Sequence, residues 1–153
     1  MKKLFALICA LFVVAGASAQ TPSAGWKIGD ICYVKGKQAV VFAVSDYGQH
    51  GKAVSVDQTY DDWVDAEAWC RSLGAGWSLP SRSDCDKLHL VINKINEVLK
   101  CNGFKEIKSA TYWSRECVGE YNAHAFFICA KFISEFTHNK YNSECNVIAV
   151  YSL

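Results

Sequence analysis

Four histidines, His50, His89, His124 and His138, and eight cysteines are the first side chains to weigh for chemistry in this 153-residue chain. A metal site built on one element needs histidines at H-x-H or i, i+4 spacing, or a C-x-x-C pair, and none occurs. Any metal would have to be assembled from distant residues, and no metal ligand is assigned. Asp61, Asp62, Asp65 and Glu67 crowd together without the Gly-containing loop that calcium ligation favours. The simpler role is capping and favourable interaction with a helix dipole. Ser81 or Ser83 with Asp84 and His89 spells a hydrolase triad, but within a turn and a half of helix and without a nucleophile elbow. Helix capping accounts better for Ser81 and Asp84. His124, between Ala123 and Ala125 in an apolar stretch, reads as a partly buried structural histidine. The stretch "GAGWSLPSRSDCDKL" (74–88) has glycines but not a phosphate cradle, since Gly74 follows a helix where a phosphate loop follows a strand. It reads as a joint between two helices. No catalytic residue and no cofactor follow from these patterns.

Residues 1–19 carry Lys2 and Lys3, an apolar run from Leu4 to about Val14 and a terminal Ala17-Ser18-Ala19, the pattern of a cleaved export signal. The expectation is a chain beginning at Gln20, exported to the periplasm, the cell surface or the medium. A short N-terminal segment (20–27) then leads into a single domain (28–153). The formal charge is +1, from 16 basic and 15 acidic residues, and without Lys2 and Lys3 it becomes −1. With no basic block anywhere, neither nucleic acid nor an anionic membrane is an expected partner, and no membrane insertion is expected after signal removal. Cys9 departs with the signal. The remaining Cys32, Cys70, Cys85, Cys101, Cys117, Cys129 and Cys145 can form disulfides after export, and their odd number leaves at least one thiol free or bridged to another chain.

The elements that would position these side chains follow from periodicity. "ICYVKGKQAVVFAVSDYGQHGKAVSV" reads as three strands with turns at Lys35-Gly36-Lys37 and around Tyr47–Gly51. From Asp62 the period changes, and Ala66, Trp69, Cys70 and Leu73 line one face of a first helix, capped by Asp61 or Asp62 and closed by Gly74. Pro80, Ser81 and Asp84 start a second helix with a capping-box pair; Leu88, Val91, Ile92, Ile95, Val98 and Leu99 form its apolar face, and Asn102-Gly103 ends it. "ATYWSREC", "NAHAFFICAKF" and "NVIAVYS" return to strands, whereas "ISEFTHNKYNSEC" is polar enough to be a hairpin tip or surface loop. Strands, two helices, then strands predict an α+β fold with antiparallel sheet.

"WVDAEAWCRSLGAGWSLPSRSDCDKL" resembles the first-to-second-helix segment of C-type-lectin-like domains, with W-x-x-A-x-x-x-C, a glycine, L-P-S and an acidic residue opening helix two. "YWSRE", "NAHAFFI" and "VIAVYSL" are similar to the Y-W-S-x-E, N-A-x-x-F and V-x-A-V segments of the Fibrobacter-type major paralogous domain, an uncharacterised branch found in exported proteins of Bacteroidetes. The strand and H-G turn in "VVFAVSDYGQHGKAVSV" resemble that branch too. The resemblance implies a C-type-lectin-like α+β fold, two helices packed on small antiparallel sheets. It implies no calcium sugar site, because E-P-N, Q-P-D and W-N-D are absent. The bridge from the helix-one cysteine, here Cys70, to the chain end lacks its partner, and the paired catalytic cysteines of the related formylglycine-generating enzymes have no counterpart. The function expected is a non-catalytic exported binding or adhesion module for an extracellular glycan or protein. Its contact residues are expected to be Arg115, Glu116, Tyr121, Asn122, His138, Asn139, Tyr141 and Asn142, a Tyr/Asn mixture suited to adaptable contacts. The alternative is an oxidoreductase or hydrolase using Cys and His.

Overall fold

The computed structural model describes residues 19–153, so the expected export signal, Ala19 apart, lies outside the described residues. Three antiparallel strands come first: β1 (Ile31–Val34), β2 (Lys37–Ser45) and β3 (His50–Asp61). Lys35 and Gly36, both at positive φ (52° and 76°), make the two-residue β1–β2 turn, the conformation that matches the twist of paired strands. A short 3-10 turn, Asp46–Gly48, joins β2 to β3. Two helices follow, α1 (Trp63–Ser72) and α2 (Arg82–Cys101), and then β4 (Ala110–Val118), β5 (Asn122–Ile128), β6 (Ile133–Asn139) and β7 (Cys145–Ser152).

All seven strands form one sheet in the order β1-β2-β3-β7-β4-β5-β6. The small antiparallel sheets expected from the sequence are therefore two antiparallel meanders fused into a single mixed sheet. β7 makes the fusion: it runs antiparallel to β3 and, at Tyr112↔Asn146, parallel to β4. β6 is a further difference, because Ile133–Asn139 had the composition of a loop. It pairs with β5 over its whole length, from Asn122↔Asn139 to Ile128↔Ile133. As an edge strand it buries little, so its polar side chains hide the strand pattern.

The helices cover opposite faces of the sheet. Val147 and Ala149 belong to the core under α1, with Trp63, Ala66 and Cys70, while Ile148 and Val150 belong to the core under α2, with Leu88, Ile92, Ile95 and Leu99. Central strands clad on both sides must be apolar on both sides, hence the unbroken "AVVF" and "VIAV". Trp26 anchors the segment before β1, buried in the α1-side core with its backbone N–H donating to Gly48 O at 2.8 Å.

The expected caps form. Asp62 accepts from the Asp65 N–H at 2.9 Å, and Ser81 and Asp84 make a reciprocal capping box. The Gly-rich stretch is indeed a joint between helices: Ser78 exchanges two backbone hydrogen bonds with Val150, fastening it to the sheet. Gly76 is required there, because a Cβ would stand 2.6 Å from the Tyr151 ring that packs on Trp77.

Candidate functional site

The eight expected contact residues fall into two places. Tyr121 lies in the β4–β5 turn and Tyr141 in the β6–β7 connection, each more than half exposed, with ring centroids 6.4 Å apart at 60°. Asn122 and Asn139 are register partners at the same end of the sheet. His138 stands edge-on to Trp113 at 6.0 Å and parallel to Phe136 at 6.1 Å. Asn142 is exposed just beyond Tyr141, and the Asn139 side chain accepts from the Tyr141 N–H at 2.9 Å. His138 and Asn139 are thus strand residues, held more firmly than loop residues would be.

Arg115 and Glu116 belong elsewhere. They occupy the irregular stretch of β4 between Trp113 and Cys117, turned to the start of α2. The Arg115 N–H donates to Pro80 O at 3.0 Å, and Glu116 Oε1 accepts from the Arg82 N–H at 2.9 Å. Glu116 therefore satisfies one of the free donors of a helix N-terminus, a structural task that only the tertiary fold reveals. Glu116 Oε2 is buried without a partner. Beside it, Arg82 pairs with Glu135 at 2.8 Å, and His124 Nδ1 lies 3.0 Å from the other Glu135 oxygen, at ion-pair distance without hydrogen-bond alignment. His124 is partly buried as expected, although it faces a carboxylate as well as apolar neighbours.

The residue that organises the tyrosine end is Lys140, which sequence reasoning missed. Lying between Asn139 and Tyr141 in a polar run, it carries no signal that separates it from a solvated lysine. It is buried; its N–H donates to Tyr121 O at 2.8 Å and its carbonyl accepts from the Trp63 N–H at 3.1 Å. Its ammonium donates to Glu120 O at 3.1 Å and lies 4.9 Å from the centroid of the Trp63 ring, a cation–π contact. Lys140 so ties the β4–β5 turn, the β6–β7 connection and the start of α1 into one unit. Two indoles brace the same end: Trp63 donates to Ser114 O at 2.8 Å and Trp113 to Asp61 O at 2.9 Å.

Asp61, Asp62 and Asp65 flank this unit, each offering a carboxylate oxygen within 4.8 Å of the others. These are the residues that could hold a cation. Asp61 and Asp62 each already accept a backbone N–H, from Asp62 and Asp65 respectively.

All seven described cysteines are free thiols, so the disulfides expected after export are not formed here. Cys32, Cys70, Cys85 and Cys145 are buried in the two cores as small apolar residues. Burial pushes the thiols of Cys32 and Cys70 up to about 12 and that of Cys145 to about 11, and raises Cys85 too, so at neutral pH all four are protonated and unreactive. Cys101 and Cys117 are exposed and Cys129 half-buried. His89 approaches Cys129, but its Nδ1 meets the carbonyl oxygen at 2.6 Å, while Sγ is directed to Phe132 O.

No protein-family model matches the chain. No curated protein matches it either. Among solved structures it is similar to EMS16, an antagonist of the collagen receptor integrin α2β1 (GPIa/IIa), at 14% identity and a TM-score of 0.45, over 70% of this chain and 94% of that one.

Proposed function

We propose that this chain is an exported, non-catalytic binding module of C-type-lectin-like architecture, and that it takes an extracellular glycan or protein at the end of the sheet bearing Tyr121 and Tyr141. The observation that carries the reading is the Tyr121–Tyr141 pair, exposed yet held at 6.4 Å on a backbone clamped by Lys140 and Trp63. Rigid tyrosines give contact area at low entropic cost, and the neighbouring Asn122, Asn139 and Asn142 add adaptable hydrogen bonds. His138 lies behind them as support, while Arg115 and Glu116 extend the contact surface only for a large ligand. The four protonated core thiols, and a His89 turned away from the Cys129 sulfur, speak against the Cys/His enzyme. Binding is read as metal-independent, with Asp62 and Asp65 serving α1. The exposed Cys101 and Cys117 are the thiols through which an intermolecular disulfide would form after export.

The test is a glycan and protein screen, with and without chelator, using protein purified from the cell envelope and expected to begin at Gln20. Tyr141→Ala should weaken any hit by more than about 1 kcal/mol, as loss of an aromatic anchor does, and Asp62→Ala should leave it unchanged. Binding abolished by chelator, or by Asp62→Ala and not by Tyr141→Ala, would move the site to the acidic residues at the start of α1.

A further inference from the structure

At the opposite end of β3 from the tyrosines, a groove of about 420 Å³ opens between α2 and the β2–β3 hairpin. Its size lies within the range of about 300–1,000 Å³ usual for small-molecule sites. Ile28, Phe42, Val44, Leu90 and Val91 form apolar walls. Leu90 is 78% exposed and Val44 40%, so two large apolar side chains face water where the groove opens. No Asp or Glu lines it, whereas Lys52, Lys87 and His50 do. The Lys52 ammonium is already committed to the buried Asp84 at 2.6 Å, and His50 lies 3.7 Å from Asp46. Lys87 makes no ion pair among the described residues and is the uncompensated cation of the rim.

From this combination we infer a second binding site, for a single-tailed anionic amphiphile such as a long-chain carboxylate. The tail lies along the apolar walls and covers Leu90 and Val44; the head group meets Lys87. The outer edge of β2 has no strand partner beyond Val40, but a peptide added there would bind through its backbone and would not need Lys87, whereas the amphiphile's head group does. A cationic or zwitterionic ligand would find no carboxylate among the lining residues. The site is independent of the tyrosine end, since Lys52 and Asp61 on β3 are separated by roughly 30 Å of extended strand.

The test is calorimetric titration of the purified protein with octanoate, decanoate and dodecanoate below their micelle concentrations, and with dodecyltrimethylammonium as the cationic control. Saturable one-to-one binding of dodecanoate is expected, tightening about fourfold per added methylene as apolar burial grows. Leu90→Asp should weaken it by about tenfold or more by placing a charge in the tail path, and Lys87→Glu by at least about threefold through reversal of the rim charge. Both positions are solvent-exposed, and circular dichroism will report an intact fold. Absence of saturation, equal binding of the ammonium surfactant, or dodecanoate affinity unchanged in Leu90→Asp would each overturn the site. None of these outcomes bears on Tyr141, so the two readings fail separately.

Discussion

Lys140 shows how a single side chain sets the geometry of a surface it barely reaches. A lysine 7% exposed is costly unless its charge is met, and here the Glu120 carbonyl and the face of Trp63 meet it. The compensation has a structural return, because the groups that satisfy the ammonium belong to the segments that carry Tyr121 and the start of α1. Lys140→Met keeps the aliphatic stem and removes the charge, leaving Glu120 O without its donor. A loss of about 1–2 kcal/mol is expected in denaturant titrations, from one cation–π contact and one charge-assisted hydrogen bond. A variant as stable as the parent would mean that packing of the stem, and not the ammonium, holds the turn. The same local view explains why Glu116 is a weak candidate for ligand contact: one of its oxygens is occupied by the Arg82 N–H.

At the scale of elements, the start of α2 is braced from several segments at once. Ser81 and Asp84 cap each other, Glu116 reaches the Arg82 N–H, and Lys52 arrives from β3 to pair with Asp84. Burial alone would raise the Asp84 carboxyl; the hydrogen bonds from Lys52 and Ser81, with the nearby charge of Lys52, outweigh it and hold the group below the usual carboxylate range. A depressed folded-state pKa contributes stability that is complete above the unfolded value of about 4 and is lost as pH falls through the folded value. Asp84→Asn should therefore be most destabilising at neutral pH. Its deficit should shrink as both proteins are titrated below about pH 4. Urea midpoints measured across that range check this, and a deficit independent of pH would show that shape, not charge, is what Asp84 supplies. The capping box was legible beforehand because its partners are three residues apart; Lys52 and Glu116 were not, being 32 and 34 residues distant from theirs.

For the whole molecule, the buried thiols serve as reporters of global opening. Cys32, Cys70 and Cys145 belong to the core under α1 and Cys85 to the core under α2, so the four sample both faces of the one sheet. Their raised pKa values keep them in the unreactive thiol form as long as they stay buried. With a thiol reagent at pH 8, Cys101 and Cys117 should label in the native protein, and the four buried cysteines should label only on unfolding, together and with one denaturant dependence. Peptide mapping after timed labelling separates them. One of the four reacting as fast as Cys101 would indicate that its side of the sheet opens independently of the other.

What the sequence determined is what short-range physics can write. The two helices, their caps and the apolar face of α2 follow from spacings of three and four residues, and six of the strands from compact apolar runs closed by turn residues. What the tertiary structure decided is every feature that depends on a distant partner. β6 became a strand because β5 offered it a complete register, although its own polar composition pointed to a loop. β7 joined two meanders into one mixed sheet through a parallel contact with β4 that no local pattern encodes. Tyr121 and Tyr141 could be named as exposed aromatics in polar segments, but their pairing rests on Lys140 and Trp63, brought together across the fold. The groove beside Leu90 exists only where α2 crosses the β2–β3 hairpin. Its walls come from segments far apart in the chain, and sequence spacing carries no record of the distance between them in space.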